Sequence, residues 1–172
     1  MYYSPISAFR FMEPFFKIPD YPEHVSCTGV LTRLLDGLGF RFYWATEGLR
    51  PEDWSFRPGP DTMSVSELVG HIWGLVNWVT ISILGESRQR PDEDESVRCG
   101  ILDMIWALRG AVHSMDEGDL GRISIEGRPF WNLINGPISD ALTHVGQVNS
   151  FRRLSGNPVP SANVFSGEPP IE

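Results

Sequence analysis

Four stretches of the chain place apolar side chains three or four residues apart, the spacing that gathers them on one face of an α-helix. The second stretch is the clearest. Val65, Leu68, Val69, Ile72, Leu75, Val76, Val79 and Ile83 follow Ser64-Val-Ser-Glu67, a capping box with Ser64 as N-cap and Glu67 reaching back. The first runs from about Ser26 to Gly48 on Leu31, Leu34, Leu35, Leu38, Phe42 and Ala45. Its Gly29, Gly37 and Gly39 lower its intrinsic propensity, so packing must hold it. The third spans about Ser96 to Met115, with Ile101, Leu102, Ile105, Leu108 and Val112. The fourth spans about Trp131 to Leu154. Pro137 must kink it or mark its true first turn, and Gly156-Asn157-Pro158 ends it. Four helices of roughly 20 residues, each about 30 Å long, make an all-α four-helix bundle.

The connecting stretches are short or rich in breakers. Leu49 to Met63 reads as a loop with Pro51, Pro58 and Pro60, and Gly85 to Glu95 is polar around Pro91. If the second and third helices are parallel, that second link must cross the bundle. Its eleven residues reach about 36 Å when extended, so it must be nearly straight. Glu117 to Phe130 is loop-like, with a short extended or hairpin piece where Ile123 and Ile125 alternate with Ser124 and Glu126 before Gly127. The expected organisation is an N-terminal extension over 1–25, the bundle over 26–160, and a proline-bearing coil tail over 161–172.

A chain of 172 residues, 41% hydrophobic and with six Trp and ten Phe, can bury one full core without a disulfide or metal staple. A net charge of -8 repels phosphate backbones, and no Lys/Arg stripe overrides it, so nucleic acid is excluded as a partner. The longest apolar run, Leu68 to Leu84, is broken by His71, Gly74, Asn77 and Ser82, and reads as a buried helix with no membrane role. The aromatic N-terminus lacks the basic start and continuous apolar run of a signal peptide, which points to the cytoplasm. Cys27 and Cys99 are expected as reduced, half-buried thiols.

The four histidines differ in setting. His24 precedes the first helix. His113 falls in the last turn of the third, where a cation gains from the helix dipole. His71 lies in the apolar arc of the second helix beside Leu75 and Trp78, and reads as a satisfied core histidine or as a ligand. Asp140 and His144 stand four residues apart and project from one side of the fourth helix. Either they make a local contact or they grip one ion, with His71 as a third ligand. Gln147 orients a ligand or lies on the surface. Asn77 takes a polar position near the site or faces solvent.

The stretch Ser64-Val-Ser-Glu-Leu-Val-Gly-His71 resembles the second-helix signature of the DinB-like (DNA-damage-inducible) superfamily. Asp140-Ala-Leu-Thr-His144-Val-Gly-Gln147-Val148 resembles its fourth-helix motif, a ligand, three residues, then His-x-Gly-Gln. Arg153-Leu-Ser-Gly-Asn-Pro-Val-Pro160 is similar to the way family members leave that helix. The resemblance covers about 26 to 160. It implies an up-down-down-up four-helix bundle that holds a divalent metal on His71, Asp140 and His144. The family usually has His where Asp140 stands, so the set becomes two histidines and an aspartate. Zinc or nickel would be the metal, with iron or manganese also suited to such ligands. The implied function is a metal-dependent transferase or hydrolase acting on a small molecule, with a low-molecular-weight thiol as partner and a homodimer as assembly. The rival class is a non-catalytic dimeric ligand-binding or interaction protein whose polar trio is vestigial. Metal analysis separates the two.

Overall fold

Helix ends form where the side chains supply partners for the end groups of the backbone. Ser26 Oγ accepts from Gly29 N at 3.0 Å and opens α1, Cys27–Thr46. Ser64 Oγ accepts from Glu67 N at 3.2 Å, while Glu67 Oε2 accepts from Ser64 N at 2.7 Å. The two bonds complete the capping box that begins α3, Val65–Leu84. Gly85 then takes a left-handed φ of 72° and stops it. The computed structural model describes residues 14–22 and 24–171. Tyr2, Tyr3, Phe9 and Phe11 of the N-terminal extension lie outside the described residues.

Between α1 and α3 stands α2, Pro51–Ser55, and after α3 come α4, Asp94–His113, and α5, Glu117–Arg122. A two-residue hairpin follows, β1 Ser124–Ile125 against β2 Arg128–Pro129, with Ile125 opposite Arg128. Trp131–Leu133 forms α6, which passes through a π-helical segment, Ile134–Ile138, into α7, Ser139–Leu154. Pro137 lies inside that segment and Gly136 leaves helical geometry at ψ -110°. Proline cannot donate to the helix ladder, so the helix widens there and restarts at Ser139. At its far end Asn157 N bonds Arg152 O at 2.9 Å and Gly156 N bonds Arg153 O at 3.3 Å, a Schellman ending around left-handed Gly156.

The fold is mainly helical. Both α1 and α3 pack against α4 and α7. Their shared core holds Leu35, Leu38, Phe42, Leu68, Ile72, Ile105, Leu108 and Ile138, all nearly inaccessible. By length and composition α3 is apolar enough to cross a membrane. Its Val65, Leu68, Val69, Ile72, Val76 and Val79 are instead buried in this core. Polar contacts set the neighbours. Arg98 of α4 donates to Thr46 and Glu47 at the end of α1, and Arg109 pairs with Asp36 farther back. Ser66 Oγ of α3 donates to Asp94 of α4, and the Trp73 ring lies against Gly100. The link after Gly85 runs back along α3. Asn77 Oδ1 accepts from Arg88 N at 2.8 Å, and the Arg90 guanidinium lies over Gly70.

A Cβ at Gly100 would meet the six-membered ring of Trp73, whose side chain is already buried. Gly100→Ala is therefore expected to cost about 1–3 kcal/mol, because the ring must leave its site. Urea denaturation checks this. A variant as stable as wild type would mean that the ring shifts freely.

Several segments differ from their sequence reading. The loop over 49–63 contains α2, and the loop over 117–130 contains α5 besides the hairpin. Both short helices are closed by local carboxylates: Asp53 Oδ2 accepts from Arg50 N, and Asp116 Oδ1 from Asp119 N. They are too short to show a hydrophobic period. Cys27 and Cys99 are free and exposed, not half-buried. Each ends beside a carboxylate, so burial is not what occupies them. The Cys27 thiol donates to Glu117 at 2.9 Å, which raises its pKa. Phe15 and Ile18 of the N-terminal extension belong to the core. Ile18 N bonds Gly167 O at 2.9 Å, and Lys17 pairs with Glu168, so the C-terminal tail pairs with that segment.

Candidate metal centre

The contact between α3 and α7 brings one residue of α3 to two of α7. His71 lies on the second turn of α3, Asp140 on the first turn of α7, and His144 one turn later. His71 Nε2 is 3.4 Å from Asp140 Oδ2, and His144 Nε2 is 3.4 Å from Asp140 Oδ1. The two imidazoles stand edge to face with centroids 4.6 Å apart. One potential ligand atom from each of the three residues falls within 4.8 Å of the others.

The side chains are 41% exposed at His71, 48% at Asp140 and 16% at His144. The core-histidine reading of His71 therefore fails. It stands at the rim of the α3–α7 groove, next to the buried Ile72, with its ring reachable from solvent. Asp140 faces out, as its place on the helical wheel implies.

The spacing suits an ion better than a pair of hydrogen bonds. Charge-assisted N–H···O bonds draw in to about 2.7–2.9 Å. Two donors each about 2.1 Å from one zinc at the tetrahedral angle stand about 3.4 Å apart, the length of these two contacts, which run to different oxygens of Asp140. The hydrogen positions point the same way. His144 Nδ1 lies 2.8 Å from Gln147 Oε1. With the amide in this orientation its oxygen accepts, and the contact is a hydrogen bond for the tautomer that carries its hydrogen on Nδ1. In the neutral ring Nε2 then holds a lone pair, and it faces a carboxylate oxygen, which is also an acceptor. A cation placed between them satisfies both acceptors. The donors present, two imidazole nitrogens and one carboxylate within 4.8 Å of one another, are the kind a divalent metal takes.

In comparisons with family models, curated proteins and solved structures, this chain has no match.

Two open clefts of about 490 Å³ are present among the described residues. One lies between α1 and α4, lined by Tyr43, Glu47, Glu95, Arg98 and Leu102, and includes none of the three residues. The other is lined by Arg57, Pro60, Thr62, Met63 and Glu67, and Glu67 is one turn before His71 on α3. Glu67 itself is engaged by Arg57 at 2.8 Å and by Ser64 N, and these bonds hold its carboxyl below the usual range. It is thus a capping group and not a fourth ligand. Asn77 accepts from the Arg88 backbone and so fastens the link, with no role at the trio. His113 is exposed at the end of α4, away from these contacts. The sequence leaves Gln147 as a ligand-orienting or a surface residue; it is exposed, with its side chain against the His144 ring three residues back.

Proposed function

We propose that this chain is a metal-dependent enzyme of DinB-like type, a transferase or hydrolase acting on a small molecule. His71, Asp140 and His144 hold one divalent cation, zinc or nickel first, with iron or manganese next in suitability. The observation that carries the reading is the convergence of the three side chains, from two helices, to within 4.8 Å of one another. Three protein ligands leave a coordination position open, the pattern of catalytic rather than structural sites. A divalent ion there lowers the pKa of a bound thiol or water and so supplies a nucleophile near neutral pH.

The chain's own residues divide the remaining work. Asp140 contributes the one negative charge of the set. The two histidines contribute neutral nitrogens, which leaves the site cationic when loaded and attractive to an anionic thiolate. The open cleft at Arg57, Thr62 and Met63 reaches Glu67, one turn before His71 on α3, and is the nearest candidate resting place for a small polar substrate.

An up-down-down-up arrangement of four helices belongs to the same reading. Arg98 on Thr46 and Arg109 on Asp36 favour opposite directions for α1 and α4. Ser66 on Asp94 and Trp73 on Gly100 favour a common direction for α3 and α4. Arg152 on Ala45 favours a common direction for α1 and α7.

Elemental analysis of untagged protein tests the proposal. Wild type is expected to carry about one divalent ion per chain, and His144→Ala to carry little. Equal metal content in the two would end the assignment. The rival reading would then stand, a non-catalytic dimeric binding protein in which Asp140 marks the loss of an ancestral site.

A further inference from the structure

We infer that Gln147 is a positioning residue of this centre, which fixes the hydrogen of His144 on Nδ1 and commits Nε2 to the ion. The inference rests on the metal-site reading above. Its basis is the 2.8 Å contact between Gln147 Oε1 and His144 Nδ1. Both residues lie on α7, so the contact needs only the helix and survives small shifts of α3. The helix itself is anchored: Val145, within this turn, and Val148, just after it, are buried in the core.

The two imidazoles are unequal as a result. His144 is mostly covered, at 16% side-chain exposure, and its ring is tied at the nitrogen that faces away from Asp140. His71 is 41% exposed, and its one recorded polar contact among the described residues is to Asp140. His144 is the fixed ligand and His71 the one that turns to meet the ion. A free imidazole divides its time between two tautomers, and only one leaves Nε2 unprotonated. An acceptor held against Nδ1 selects that tautomer before the ion arrives and increases the basicity of the ligating nitrogen. An exposed glutamine serves this purpose without adding charge to the three-residue set.

The test uses the full chain, stripped of metal, with cobalt(II) and zinc as probes. Gln147→Leu removes the acceptor, and Gln147→Glu replaces it with a stronger one. Gln147 is exposed, so neither variant should change the melting temperature of the metal-free protein. Gln147→Leu is expected to bind both ions about 10–100-fold more weakly than wild type. Gln147→Glu should bind at least as tightly as wild type and give the wild-type cobalt absorption spectrum. The inference is overturned if Gln147→Leu binds as wild type does, which leaves the metal site itself standing. It is overturned equally if Gln147→Glu is as weak as Gln147→Leu, since a better acceptor should replace the amide. If wild type binds neither ion, the metal reading fails and the role of Gln147 fails with it.

Discussion

Zinc, nickel or manganese added to the metal-free protein is expected to raise the melting temperature of wild type and leave that of His71→Ala unchanged. An ion that binds only the folded chain stabilises it by about 2.7 kcal/mol at a hundred times its dissociation constant. For a chain of this size that is roughly 5–10 °C. The metal-free variant should melt close to wild type, because the His71 side chain is 41% exposed and its truncation opens no buried cavity. A histidine held for packing would behave in the opposite way. His71→Ala would melt far lower with no metal present, and wild type would ignore all three ions. That pair of results would remove His71 from any metal site and favour the non-catalytic reading.

The largest loss of stability is expected at Asp53, far from the trio. Its side chain is inaccessible and accepts five hydrogen bonds. Three come from Arg50, at 2.8–2.9 Å, one from Ser155 Oγ at 2.8 Å and one from Asn157 Nδ2 at 2.6 Å. The carboxylate thus ties the turn after α1 to the end of α7. Next to it Arg152, also buried, donates to the Ala45 and Glu47 carbonyls and satisfies the open end of α1. Asp53→Ala would strand a guanidinium and two further donors at once. The Arg50 side chain is 44% exposed and can turn to Glu52 and water, so the loss of these charge-assisted bonds should cost about 2–4 kcal/mol, or roughly 5–10 °C in melting temperature.

The same carboxyl gives a pH signature. Hydrogen bonds from the Arg50 guanidinium, ahead of those from the Arg50 backbone, Asn157 and Ser155, hold its pKa well below the ordinary 3.8. A group whose pKa is depressed by folding contributes stability that is complete above the unfolded value. That contribution fades as the pH falls below about 4 toward the folded value. Wild type should therefore lose urea resistance steeply below pH 4, and Asp53→Asn should show a flatter decline in the same range. Parallel curves would show that other carboxylates govern acid unfolding.

The sequence by itself determined the long helices and the features set within them. The four long helices are legible because their apolar side chains recur with the helical period over about 20 residues, and because Ser64 and Glu67 cap α3 through bonds three residues long. The disturbance at Pro137 follows from a missing N–H. Asp140, His144 and Gln147 share a face of α7 for the same local reason. The short helices α2 and α5 escaped notice because five or six residues are too few to display a period. Only the tertiary structure decided the exposure of His71. A helical wheel places it in an apolar arc, but the edge of the buried zone depends on how α7 lies across α3. That same crossing brings Nε2 of His71 to 3.4 Å from Asp140, a contact 69 residues apart along the chain. The docking of Phe15 and Ile18 beside Gly167 belongs to the same class. Such contacts arise from the relative placement of whole elements, which is set by the fit of all their side chains together, and no local pattern records it.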